Sequence, residues 1–317
     1  MRDNKFGRAG LMDLKANFQE SYKSGFVALV GKPNVGKSTL LNHYIGQKVA
    51  AVSIKPQTTR KRQLGILTTE KAQIVFVDTP GLHTSDYKLS DFINKEAQYA
   101  FVDADLILFL ADASQPPDEE DRKLAEEIQV KTKGIKRLLV LNKSDLADKR
   151  SIDNNEEAFR ALLPFDDHLR ISAITATGRE ELLARIVELL PEGPRYYPED
   201  QITATYERDI AGDLIRAAAL FHLHDEVPYA IFVLVNEYAL REDGTRYVHA
   251  TLFCERESQK GIIIGKSGQM IKAISTTARQ EIEELSDEPV YLDLKVKVEK
   301  NWRNNPEFLR KYGLSHN

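Results

Sequence analysis

Short, almost unbroken apolar runs punctuate the first two thirds of this chain. Residues 26–30, 74–77, 106–110 and 138–141 lack the polar alternation of a half-exposed strand. That is the pattern of parallel strands covered on both faces. Between them, residues 88–102, 119–132 and 180–190 place apolar side chains at helical spacing. The alternation predicts a doubly wound, mostly parallel α/β sheet over residues 25–190. Ligands of such sheets sit at the carboxyl ends of the strands.

The pattern changes at Pro191-Glu-Gly-Pro-Arg-Tyr-Tyr-Pro198, where three prolines and a glycine fall within eight residues. Such a stretch predicts a semi-rigid linker, placed at 191–204. Beyond it the pattern predicts a helix at 207–222, strands at 230–240 and 247–256 joined by a turn at Asp243-Gly244, a helix at 269–285 and a strand at 290–298. The order α-β-β-α-β describes a small α+β domain over 205–317.

Composition narrows the class. The chain has 317 residues, 42 % of them hydrophobic and 29 % charged, as expected for a soluble protein of two domains. A net charge of −4 excludes a uniformly basic nucleic-acid coat but leaves room for a local basic groove. The one cysteine, Cys254, has no internal disulfide partner and reads as a small buried hydrophobe in a reducing cytosol. No apolar stretch approaches the ~18 residues that span a bilayer. Residues 1–24 lack the apolar core of a secretory signal and are expected to form a flexible leader.

Chemistry enters directly after the first apolar run. Gly31-Lys32-Pro33-Asn34-Val35-Gly36-Lys37-Ser38-Thr39 is a G-x-x-x-x-G-K-[ST] loop, a phosphate cradle. Its glycines let backbone N–H groups turn toward phosphate oxygens, Lys37 brings a cation to the β- and γ-phosphates, and the Ser38 hydroxyl suits Mg²⁺. The helix that follows aims its positive end at the anion. Asp78-Thr79-Pro80-Gly81 ends the run 74–77. Asp78 is expected to hold Mg²⁺ through water, with the Gly81 N–H facing the γ-phosphate.

Asn142-Lys143-Ser144-Asp145 follows the run 138–141. The Asp145 carboxylate matches the adjacent N1–H and N2–H₂ donors of guanine, which adenine lacks, so the expected nucleotide is GTP or GDP. The Lys143 stem suits the base plane. Ser172-Ala173 follows Ile171, where a small residue lets a backbone N–H approach guanine O6. Gln57-Thr58-Thr59-Arg60 lies between the cradle helix and the next strand. A threonine of such a loop completes the Mg²⁺ shell when the γ-phosphate is present, with Thr59 favoured and Thr58 its rival.

In the second domain, Ile262-Ile263-Ile264-Gly265-Lys266-Ser267-Gly268 precedes the helix at 269–285. G-x-x-G between an apolar run and a helix is the KH signature, which clamps about four nucleotides of single-stranded RNA. Ile264, Gly265, Lys266, Ser267, Gly268 and Lys272 are the candidate contacts. Glu281, Glu283 and Glu284 are expected to form a solvated face turned away from RNA. Trp302 and Tyr312 suit stacking on bases, but packing is the commoner use of such residues.

The ordered set Gly-Lys-Pro-Asn-Val-Gly-Lys-Ser, Gln-Thr-Thr-Arg, Asp-Thr-Pro-Gly-Leu-His and Asn-Lys-Ser-Asp resembles the bacterial Era GTPases, and the resemblance runs through the second domain. It implies a type II KH domain and binding of the 3′ region of 16S ribosomal RNA during 30S subunit assembly. It also implies a slow GTPase in the cytoplasm, partly in contact with the inner face of the membrane. A monomer with no DNA partner is expected. Where Ras-like proteins place a catalytic glutamine, this chain has Leu82, which cannot orient water. Similar GTPases use an asparagine at the Asn34 position to hold K⁺, so Lys37, Asn34, Thr59 and Gly81 are the catalytic candidates. His83 in the same loop reads as incidental. Leu82 also keeps open a nucleotide-stabilised RNA chaperone with negligible hydrolysis, and the resemblance leaves a membrane-peripheral regulatory GTPase as a further alternative.

Overall fold

The computed structural model describes residues 22–52, 55, 59–80 and 87–315. The first unit is a sheet of β1 (Lys23–Val30), β2 (Gln63–Thr68), β3 (Ala72–Asp78), β4 (Leu106–Asp112), β5 (Lys136–Asn142) and β6 (Asp167–Arg170), in the order β2-β3-β1-β4-β5-β6. All neighbours are parallel except the edge pair β2–β3. The inner strands bury both faces, and every residue of β3 is buried. Alternate residues divide between two cores: Val27 and Leu29 join Phe76 and Leu108, while Ala28 and Val30 join Phe101 and Phe109.

Helices α1 (Lys37–Ile45), α2 (Lys88–Val102), α3 (Glu119–Lys131), α4 (Lys149–Arg160) and α5 (Arg179–Leu189) belong to this unit. The apolar-run reading passes over two elements. The edge strand β2 is short and irregular in pattern, QLGILT. Helix α4 is mostly polar, with Ile152, Asn155 and Phe159 as its buried stripe, and it starts because the Asp148 carboxylate caps the N–H groups of Arg150 and Ser151.

The segment 191–204 is not a free spacer. It is a strap fastened to the sheet edge. The Pro191 carbonyl accepts the Ser24 N–H at 3.1 Å, and Gly193 N–H donates to Tyr22 O at 3.1 Å. Gln73 Oε1 accepts the N–H groups of Tyr196 and Tyr197 at 2.7 and 2.9 Å. Ile66 N–H donates to Ile202 O at 2.8 Å, and the Thr203 hydroxyl donates to Leu64 O at 2.6 Å. β1 starts at Lys23, so Lys23 and Ser24 belong to the sheet and not to the leader. Residues 1–21 of that leader lie outside the described residues.

The second unit contains α6 (Glu207–His222), β7 (Phe232–Leu240), β8 (Arg246–Cys254), α7 (Glu257–Ile264), α8 (Gln269–Ser286), β9 (Val290–Val298) and α9 (Pro306–Lys311). Its sheet runs β7-β8-β9, antiparallel then parallel. The order is α-β-β-α-α-β. The extra helix α7 escaped the pattern because Gly261 interrupts it and its isoleucine triplet reads as strand. β7 begins at Phe232, after a 3-10 turn at Val227–Ala230 that contains Pro228. Ile210, Leu214 and Ala218 of α6 and Ile274, Ala278 and Ile282 of α8 share one core with the sheet and the buried Cys254.

Trp302 is fully buried, its indole N–H bonded to Ala230 O at 2.9 Å, and the Tyr312 ring lies 4.6 Å from that of Phe308. Both are packing residues. Their cluster crosses between the units: Leu89, Phe92 and Ile93 of α2 pack with Phe253, Trp302, Phe308 and Leu314.

Candidate functional site

The carboxyl ends of β1, β3 and β5, with the segment after β6, surround a cavity of about 480 Å³ lined by residues of each nucleotide motif of the first unit that falls among the described residues. Gly36 caps α1 at φ +102°, and a Cβ there would stand 2.3 Å from Asn142 Nδ2, so only glycine fits. No side chain caps α1, which leaves its first-turn N–H groups open for an anion. Lys37 is 7 % exposed and folds back on the cradle, with Nζ 2.9 Å from both Gly31 O and Lys32 O. Burial pulls its pKa down to about 8, partly opposed by Asp78.

Asp78 is fully buried at the end of β3. Its Oδ2 accepts the Ser38 hydroxyl at 2.6 Å and the Thr59 hydroxyl at 3.3 Å. Its Oδ1 has no hydrogen-bond partner among the described residues. Burial raises the Asp78 pKa against the pull of Lys37, Ser38 and Thr59. An orphaned carboxylate oxygen beside two hydroxyls is a donor set suited to a hard divalent cation. The Thr59 hydroxyl lies 3.5 Å from that of Ser38 beside this set. Thr58, Gly81, Leu82 and His83 lie outside the described residues.

The base end is built around Asn142. Its Nδ2 donates to Val35 O at 2.7 Å and its Oδ1 accepts the Ala173 N–H at 2.8 Å. One side chain thus ties the phosphate cradle to the Ser172-Ala173 wall. The Ala173 N–H is thereby engaged by Asn142. Asp145 is exposed at the cavity rim. Lys143 takes φ +62°, and its Nζ pairs with Asp112 at 2.7 Å. Burial raises the Asp112 carboxyl, but Lys143 and Ser114 outweigh it and hold the pKa below the usual value.

Some residues escaped the sequence reading or act differently from it. Asp112 positions Lys143, and its signal is a carboxylate ending a wholly apolar strand. Val52, Leu146 and Ile174 give the base end an exposed apolar rim. Lys32 turns away from the cradle to Asp118 and Asp121 at 2.6 and 2.8 Å, at the capped start of α3. Only its backbone is left for a phosphate. Asn34, exposed at φ +64°, lines the cavity with Pro33 and Thr39. Thr79 lines it too, and its hydroxyl is bonded to Leu29 O at 2.7 Å.

In the second unit, α7 ends at Ile264 and α8 starts at Gln269, with Gly265-Lys266-Ser267-Gly268 as the turn between them. Gly265 has φ +73°, and a Cβ there would meet Met270 Cβ at 2.6 Å. Gly268 caps α8 at φ +78°, with no side-chain cap. Lys266 and Lys272 are exposed beside that helix start. Glu281 is not turned away to solvent: it pairs with Lys48 of the first unit. Arg279 is neutralised by Glu283 at 2.6 Å, so it adds little to the basic face.

The loop bearing Thr59 is also held by the second unit. Lys55 Nζ donates to Leu223 O, and Gln63 Nε2 donates to Asp213 at 2.5 Å. Arg60, 4 % exposed, donates to Ile231 O at 2.8 Å and Tyr229 O at 3.3 Å.

Fold and site together define a P-loop GTPase domain joined to a KH domain. Residues 26–143 match the family described as "50S ribosome-binding GTPase", and residues 226–303 match the KH domain family. The GTPase Era of Carboxydothermus hydrogenoformans is 45 % identical over 93 % of this chain and 99 % of its own length. A crystal structure of Era with MgGDPNP and nucleotides 1506–1542 of 16S ribosomal RNA superposes with a TM-score of 0.87 at 36 % identity, covering 93 % of this chain and 100 % of the other. Aquifex aeolicus Era, a point variant bound to GDP and AlF₄⁻, gives 0.86 at 36 % identity with the same coverage. The chain belongs to the Era GTPase family. It is a GTP-binding GTPase that uses Mg²⁺, with a C-terminal RNA-binding KH domain. Among the described residues no helix is long and apolar enough to cross a membrane.

Proposed function

We propose that this chain is a GTP-gated clamp on the 3′ region of 16S ribosomal RNA that acts in assembly of the 30S subunit. The observation that carries the gating is the adjacency of Thr59 and Arg60, one beside Asp78 and the other inside the KH unit. The RNA follows from the Era relative bound to 16S nucleotides, which favours the small subunit over the large one named in the GTPase family description.

Each side chain has a distinct task in this reading. Lys37 leaves the carbonyls of Gly31 and Lys32 to meet the β- and γ-phosphates. Ser38, Thr59 and Asp78 hold Mg²⁺, Asp78 through water. That cation supplies charge neutralisation between the phosphates. The open first turn of α1 and the backbone of residues 31–36 meet the phosphate oxygens. Asp145 selects guanine, while Asn142 keeps cradle and base wall in register. Leu82 offers no hydrogen bond to the attacking water, so intrinsic hydrolysis is slow and Asn34 holds K⁺ to offset developing charge. Turnover at equal rates in K⁺ and Na⁺ buffers would overturn the Asn34 role.

Ile264, Gly265, Lys266, Ser267, Gly268 and Lys272 grip the RNA backbone at the uncapped start of α8. The test is RNA affinity for a 16S 3′-end oligonucleotide, measured with a GTP analogue and with GDP. Tighter binding with the analogue is expected. Equal affinity in both states sinks the gating, since a ligand without differential affinity shifts nothing. Gly268→Asp should abolish RNA binding and leave GTP hydrolysis without RNA unchanged. The proposed location is the cytoplasm, and fractionation would test contact with the inner membrane face.

A further inference from the structure

A second cavity, of about 530 Å³, opens between the two units and shares no lining residue with the nucleotide cavity. Residues 60–63 form one wall. The first turns of α6 and the strand β7 form the other, and Tyr312 and Leu314 close one end. Its size suits a small-molecule ligand.

Its lining is cationic. Arg60, Lys61, Arg62, Arg208 and Arg216 face Asp209 and Asp213. With Arg62 neutralised by Glu96 at 3.3 Å, four cations stand against two carboxylates. Lys61 makes no ion pair among the described residues. Buried polar atoms are left open as well: Arg60 Nε and Gln63 Oε1, on side chains 4 % and 2 % exposed, have no hydrogen-bond partner among the described residues. Burial and the charge of Arg216 push the Arg60 pKa well below its usual value, and Asp213 restores only part of it. Gln63 Oε1 can only accept, but the Arg60 Nε–H is an unused donor on a buried cation, which is costly and which an anion relieves.

Two further features shape the ligand. Helix α6 opens on the cavity, and its N-cap Tyr206 offers its first turn no side-chain cap. Tyr206 itself is 79 % exposed at the cavity mouth, a free aromatic face for a flat ring.

We propose that this interdomain cavity is a second anion site that binds a phosphate-bearing small molecule of mononucleotide size. Its phosphate lies against Lys61, Arg60 and the start of α6, and its base lies on Tyr206. The residue before Arg60 is Thr59, so this ligand acts on the GTP site through one peptide bond. The proposal is independent of which RNA the KH unit holds.

The test uses the full chain with its guanine site filled by GDP and Mg²⁺. Adenosine 5′-monophosphate, ribose 5-phosphate and inorganic pyrophosphate are titrated by calorimetry. Each should saturate at one molecule per chain, with the adenosine compound about tenfold tighter than ribose 5-phosphate. Tyr206→Ala should remove that advantage. Lys61→Glu should weaken all three at least tenfold, Lys61→Arg should keep them, and GDP affinity should be unchanged in both. Lys61 is exposed, and unaltered thermal melting of the variants would show that the fold is intact. The proposal fails if none of the three saturates, if Lys61→Glu binds as the parent does, or if the probes bind only by displacing GDP from the guanine site. Binding of an RNA oligonucleotide alone, with no response to the small phosphates, would also overturn it.

Discussion

The guanidinium of Arg60 lies 5.6 Å from the centre of the Trp302 ring. It joins the loop that carries Thr59 to the closing segment of the KH unit. Tyr87, which precedes α2, makes the matching contact, with Arg303 stacked 3.7 Å from its ring centre. The KH unit therefore touches the chain beside both loops expected to sense the γ-phosphate.

Arg60→Ala removes two donors from the buried carbonyls of Ile231 and Tyr229. A loss of about 1–3 kcal/mol in stability is expected. The ratio of RNA affinities with GTP analogue and with GDP should fall toward one, while nucleotide affinity stays within about threefold of the parent. Fluorescence anisotropy with labelled RNA measures both states. An unchanged ratio would mean that α2 carries the coupling alone.

Nucleotide binding should take up a proton near pH 8. The free protein holds Lys37 at a pKa of about 8, and a bound triphosphate needs it charged. Below pH 8 the lysine is already protonated and affinity is flat. Above it, affinity should fall by up to about tenfold per pH unit until the bound-state pKa is reached. Calorimetry in buffers of different ionisation enthalpy would detect the uptake, and its absence at pH 8.5 would contradict the assignment.

Asp78→Asn should separate stability from function. The Asp78 pKa is raised by burial, so its ionised form destabilises the nucleotide-free fold at neutral pH. The cost is absent below the ordinary carboxylate range and complete above the raised value. The variant should therefore melt at a higher temperature at pH 7, with the gain vanishing on acidification. Mg²⁺-dependent GTP affinity should drop about a hundredfold, the scale of two lost charge-assisted contacts at ~1.5 kcal/mol each.

Asn142→Ala breaks the bonds to both Val35 O and Ala173 N–H. Two buried backbone groups lose partners, and GDP affinity should fall by about 2–4 kcal/mol. Restoring only guanine contacts cannot repair it, so GTP and ATP should weaken together. A loss confined to guanine nucleotides would show that Asn142 does not hold the cradle.

Much of the site was legible because its parts obey local rules. Strands buried on both faces leave unbroken apolar runs, and the G-x-x-x-x-G-K-S spacing requires only eight adjacent residues. The edge strand β2 and the polar helix α4 escaped because one face of each carries the signal weakly. Helix α7 escaped because Gly261 and three isoleucines imitate a strand end. Lys32 and Asp112 were opaque for another reason: their partners stand on other elements. The interface was hidden altogether, since Arg60 and Ile231 are 171 residues apart and no periodicity links them.

The strap holds to the nucleotide domain as far as Thr203, and α6 begins at Glu207. Only Ala204, Thr205 and Tyr206 remain between the two bodies. Three residues at full stretch reach about 10 Å. Any movement of the RNA clamp against the nucleotide domain is therefore confined to an arc about a short wrist. Whatever the arc passes over must lie close to the nucleotide domain, so the wrist length sets how far from its timer this clamp can hold a strand.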